Sequence, residues 1–90
     1  MATTREVAEW MVRQLNAGLR LYQDRAVRYI RANFGEEFSY RNENRNWAIS
    51  PEVLADFEAL APATGVKWAV HGRYWRKARE GDPAGRSVRR

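Results

Sequence analysis

The segment "WAVHGRYWRKAR" (68–79) alternates aromatic and cationic side chains. That is the composition of surfaces that hold phosphates with Arg and Lys while rings pack or stack beside them. If residues 73–77 form a strand, Arg73, Trp75 and Lys77 point one way and Tyr74 and Arg76 the other. The more usual use of the same residues has Trp68 and Trp75 packed in the core, where a small domain needs its large aromatics, and the arginine stems lying over the rings, their heads in water. Arg25, Arg28 and Arg31 recur at helical spacing and extend the basic chemistry, either as a phosphate-facing row or as the wet side of an amphipathic helix.

The charge is unevenly placed. Up to residue 70 the acidic and basic side chains balance, whereas from His71 onward Arg73, Arg76, Lys77, Arg79, Arg86, Arg89 and Arg90 face Glu80 and Asp82 alone, which accounts for the formal net charge of +5. A cationic end of this kind favours polyanions, or it keeps a chain soluble.

Other chemistries find little support. With one histidine, no cysteine and serines only at Ser39, Ser50 and Ser87, no nucleophile and base pair suggests itself, and an enzyme is not expected. "NENRN" (42–46) spaces oxygen ligands as the start of a calcium loop does. Trp47 then stands where that loop needs Gly, and Val53 where it needs Glu, so a turn is the better meaning. No glycine-rich phosphate loop is present, and neither a metal nor a cofactor is expected.

The elements that must position these residues can be read from period and punctuation. Thr3-x-x-Glu6 fits a capping box, Val7, Met11 and Leu15 follow at helical spacing, and Gly18 offers a left-handed stop, which predicts a helix over 4–17. A short extended piece, "LRLYQ" (19–23), leads to a second helix in which Ala26, Val27, Ile30 and Phe34 share a face and Gly35 ends the run. "FSYRNENRNWAIS" (38–50) reads as a hairpin with an Asn-rich turn. Ser50-Pro51 caps a third helix buried through Val53, Leu54, Phe57 and Leu60. Its outer residues Glu52, Asp56 and Glu58 would repel phosphates, so it makes a poor recognition helix. "VKWAV" (66–70) and "RYWRK" (73–77) follow as strands.

Length and composition confine these pieces to one domain. The expected architecture is α+β, three helices with a small antiparallel sheet, of which a winged-helix-like layout is one instance. The expected division is a compact domain over 1–79 and a flexible basic tail over 80–90, because "EGDPAGRSVRR" offers almost nothing to bury. The N-terminus has no basic and apolar leader, and no run is long enough to span a bilayer, so a cytoplasmic protein without membrane association is expected.

"EVAEWMV", "LYQDRAVRYI", "FGEEFSYRNENRNWAIS", "VLADFEAL" and "RYWRKAREGDPAGR" together resemble a family of small uncharacterised bacterial proteins, a domain of unknown function. The pattern it resembles carries a glycine at the position of Arg45. The resemblance implies a compact bacterial domain to which the Arg-Tyr-Trp-Arg motif belongs, and it implies no activity.

The functional expectation is therefore a small module that binds a polyanion, foremost double-stranded nucleic acid, with weak sequence specificity. Arg73, Arg76, Lys77 and Arg79 would contact phosphates, Trp75 or Tyr74 would pack or stack, and Arg25 and Arg28 would add to the surface. The alternative is a protein-interaction or adaptor domain, of phage or mobile-element origin, that uses the same Trp, Tyr and Arg residues to dock on a protein partner. An uncovered strand edge would also permit a homodimer.

Overall fold

A computed structural model describes residues 2–61, 65–82 and 85–88. In chain order the elements are α1 (Thr4–Asn16), β1 (Leu21–Tyr22), α2 (Gln23–Asn33), a 3-10 turn (Glu36–Phe38), β2 (Ser39–Arg41), β3 (Trp47–Ile49), α3 (Pro51–Leu60), β4 (Val66–Ala69), β5 (Tyr74–Lys77) and β6 (Ser87–Val88). The α+β class is as the sequence predicts.

Helices α1 and α3 begin on side-chain caps, and α1 ends at a glycine. The Thr3 hydroxyl accepts from the Glu6 N–H at 3.2 Å and caps α1. At the other end Gly18 takes φ +85°, a conformation open to glycine, which lets the Leu19 N–H reach the Gln14 carbonyl. Ser50 caps α3 by accepting from the Val53 N–H, with Pro51 at the first helical position. Helices α1 and α3 pack together and are tied by the Thr4 hydroxyl, which donates to Asp56 at 2.6 Å. One carboxylate of the acidic face of α3 is thereby used inside the fold.

The main sheet has the order β1-β5-β4-β6, and β2 with β3 forms a separate antiparallel hairpin. Strands β1 and β5 are antiparallel, as are β4 and β5, with Trp68 opposite Trp75 and Lys67 opposite Arg76. The β5 alternation separates two sides. Val66, Trp68 and Trp75 join the core with Val7, Met11, Leu15, Ile30, Ile49 and Phe57 from the helices and hairpin. Ala69, Tyr74 and Val88 form a second cluster with Tyr22 packed against it.

Within the segment read from composition as a tail, the described residues 85–88 are tied to the sheet. Ser87–Val88 pairs parallel with β4, which makes the sheet mixed, and Val88 is only 6 % exposed. The preceding residues are fastened as well. Arg86 donates to the carbonyls of Val66 and Ala61, at 3.1 and 2.7 Å, and the Lys67 ammonium donates to the Gly85 carbonyl at 2.7 Å. Arg89 and Arg90 lie outside the described residues.

Among the described residues no helix is long and apolar enough to cross a membrane.

Candidate functional site

The arginines and rings singled out in the sequence separate into internal and external groups. Trp75 is internal, 6 % exposed, with its ring 4.5 Å from that of Trp68 and edge-on to Phe57 at 5.5 Å. Burying an indole is worth several methylene equivalents of apolar contact, which outweighs any benefit of leaving it at the surface of so small a domain. Arg76 is internal too, at 7 % exposed. Its guanidinium makes a bidentate pair with Asp82 at 2.9 and 3.0 Å and also donates to the Lys77 carbonyl. These bonds raise the Arg76 pKa, against the opposing effect of burial. The Arg76 hydrogen bond and the backbone N–H of Arg79 hold Asp82 well below the usual carboxylate range. Arg76 therefore fastens the segment after β5, and its guanidinium is committed to a protein carboxylate.

The external residues fall around two clefts. The first, of about 300 Å³, is lined by Gln23, Asp24, Val27 and Arg28 of α2, by Asn42, Asn46 and Trp47 of the hairpin, and by Arg73. Arg28 and Arg73 are exposed, and neither guanidinium has a hydrogen bond or ion pair among the described residues. The cleft thus unites a helix-two arginine with one from the C-terminal segment. Asp24 is the opposing charge in it.

Arg73 owes its position to an unusual backbone. It adopts φ +52° in the turn between β4 and β5, its N–H donating to the Ala69 carbonyl at 2.8 Å and its carbonyl accepting from the Gln23 N–H at 2.9 Å. For a residue with a Cβ the left-handed region costs about 1–2 kcal/mol. The turn and the start of α2 together hold it there.

The second cleft, of about 270 Å³, gathers Lys77 at the end of β5, Ala78 and Arg79 with Arg20, Leu19 and Gly18 after α1. A ladder of stacked groups starts from Arg20 of the second cleft. The Arg20 guanidinium lies 5.1 Å from the Tyr74 ring centre, Tyr74 packs on Tyr22 at 5.0 Å, and Arg25 lies 5.4 Å from the Tyr22 ring centre. Arg25 stands one helical turn before Arg28. Arg20, Lys77 and Arg79 at the second cleft, Arg25, and Arg28 with Arg73 at the first make up a set of exposed cations, the cationic band.

Arg20 and Tyr22 escaped the sequence reading. The period-two spacing in "LRLYQ" contains them, but only the pairing of β1 with β5 places them beside Tyr74. A third stack borders the first cleft, where Arg31 lies 3.6 Å and Arg41 4.9 Å from the Trp47 ring centre. Arg31 also pairs with Glu36 at 3.2 Å, and its Nε is buried without a hydrogen-bond partner where the guanidinium presses on the indole. Arg31 thus braces the hairpin against α2 and adds little to the band. Among the described residues no group of His, Cys, Asp or Glu is arranged to hold a metal ion.

Compared with known proteins, the chain matches no curated protein and no solved structure. Residues 3–77 match a family of unknown function. The match takes in every element from α1 to β5 and stops short of β6.

Proposed function

The chain belongs to that family of unknown function, DUF6953, and from its geometry we propose that it binds a polyanion, double-stranded nucleic acid, through phosphate contacts along the cationic band. The observation that carries the proposal is the ladder Arg20-Tyr74-Tyr22-Arg25, which starts at the second cleft and ends one helical turn before Arg28, a residue of the first cleft that is, like Arg73, unpaired among the described residues. Guanidiniums held against rings are oriented before binding, so less side-chain freedom is lost when a phosphate arrives.

The same stacking favours a duplex over a single strand. Proteins that grip single strands offer open aromatic faces to bases. Here Tyr74, Tyr22 and Trp47 each already carry a guanidinium. A backbone-contacting mode implies weak sequence specificity. The winged-helix-like layout belongs to this proposal: three helices precede the β4-β5 hairpin, whose turn carries Arg73, and in this reading the acidic α3 stays out of the contact.

Titrating a labelled duplex with protein at several salt concentrations, followed by fluorescence anisotropy, tests this. Wild-type affinity should fall with a log–log slope of roughly −0.9 per phosphate neutralised. The double variant Arg28→Ala, Arg73→Gly should flatten that slope by about 2 phosphate equivalents. Glycine at 73 tolerates the left-handed backbone, so the fold is kept. Equal affinity and slope in the two proteins would overturn the proposal.

A protein partner is the second reading, and a different surface favours it. Tyr29, 43 % exposed, stacks flat on Trp10 at 4.4 Å, with Phe34 edge-on to both. Binding through such a patch would persist at salt concentrations that abolish phosphate contacts. Homodimerisation by strand pairing is less favoured, since β1 and β6 at the sheet edges have two residues each.

A further inference from the structure

Arg45 stands at the tip of the β2-β3 hairpin, beside the cleft that holds Arg28 and Arg73, and among the described residues it is the other residue besides Arg73 that takes a positive φ without being glycine, at +62°. The turn around it is tightly made. The Asn42 side-chain oxygen accepts from the N–H groups of Asn44 and Asn46, at 3.0 and 3.1 Å. The Asn42 N–H donates to the Asn46 carbonyl at 2.9 Å, and the Arg45 N–H to the Asn42 carbonyl at 3.0 Å. Arg41, lying over Trp47, donates a further bond to the Arg45 carbonyl at 3.3 Å.

All of this fixes the backbone at 45, and none of it engages the side chain. The Arg45 guanidinium is exposed and has no hydrogen bond or ion pair among the described residues. Glycine would occupy the position without strain. A cost of about 1–2 kcal/mol retained at an exposed tip points to use of the side chain, because strained backbones persist where function requires the residue.

We propose that Arg45 enters the minor groove of the bound duplex and makes the protein prefer A·T-rich DNA, an inference that rests on the polyanion reading above. Two features of the surface and one property of DNA lead there. Arg28 and Arg73 take phosphates within the cleft that Asn42, Asn46 and Trp47 wall on the hairpin side, so the tip stands next to a contacted strand. A single extended guanidinium on a rigid turn fits a groove roughly 6 Å wide, whereas the whole hairpin does not. A·T tracts narrow that groove and deepen its negative potential, which draws in arginine. Minor-groove edges distinguish A·T from G·C but scarcely A·T from T·A, so the preference would be for composition and not for a fixed sequence.

Two labelled duplexes of equal length, one an A-tract and one G·C-rich, titrated with wild type and Arg45→Gly, decide the matter. Wild type should favour the A-tract by on the order of tenfold, comparable to the loss usually seen on changing one base pair in a site. Arg45→Gly should bring the A-tract down to the G·C value and leave the G·C affinity within about twofold, the loss expected for one weak charge contact. Its Tm should not fall, which excludes a folding defect as the cause. Equal wild-type affinities, or an equal loss on both duplexes in the variant, would overturn the minor-groove role while leaving phosphate binding intact. Absence of binding to either duplex would overturn the polyanion reading, and this one with it.

Discussion

Arg76 and Arg73 stand three residues apart and do opposite work. Arg73 is an exposed cation on a strained turn, whereas Arg76 is enclosed and committed to Asp82. The pair makes stability depend on pH with a definite sign. Because the Arg76 and Arg79 bonds hold the folded carboxylate below its unfolded value of about 3.9, Asp82 contributes stability that is fully present above that value. It is lost as pH falls through the range between the unfolded and the depressed folded pKa. Urea melts of wild type and Asp82→Asn should therefore differ at pH 7 and converge as pH falls below about 4. A gap of constant size across that range would mean that the carboxylate's charge is not what fastens the segment.

At the scale of elements, Ser50 offers a simple test of local design. Its hydroxyl accepts the Val53 N–H in a buried position at the start of α3, so Ser50→Ala should cost about 1 kcal/mol in a denaturant melt. This cap, like that of Thr3, was legible in the sequence, because capping depends on residues only three positions apart. The hairpin was legible for the same kind of reason, since Asn-rich turn chemistry and flanking apolar residues lie together in the chain. What could not be read locally was the fate of 80–90. A lone Val88 between Ser87 and Arg89 has no period, and its burial depends on an edge of β4 left open by strands far earlier in the chain. The role of Trp75 was undecidable for a related reason. Alternation along β5 separates Trp75 from Tyr74 and Arg76 but does not say which side meets the helices. The joining of Arg25, Arg28 and Arg73 into one band was equally hidden, since it depends on β1 meeting β5.

Over the whole molecule, the sheet is completed by a segment outside the residues that match the family. If that closure is part of the fold, Val88→Ala should cost about 1–2 kcal/mol, from lost apolar burial at a site that does not fully collapse. In a domain of this size that corresponds to a fall in Tm of roughly 4–8 °C per kcal/mol. A Tm within a degree of wild type would return 80–90 to the status of a tail. The molecule extends 39 Å along its longest axis, comparable to one turn of a DNA duplex, roughly 34–36 Å. The indole pair of Trp68 and Trp75 adds an optical property to this slab. Two such chromophores 4.5 Å apart and inclined at 50° couple as oscillators, so the folded protein should carry an exciton couplet in its far-ultraviolet circular dichroism that collapses when β4 and β5 separate. The core thereby reports its own integrity, and the melting of the protein alone can be followed by that signal.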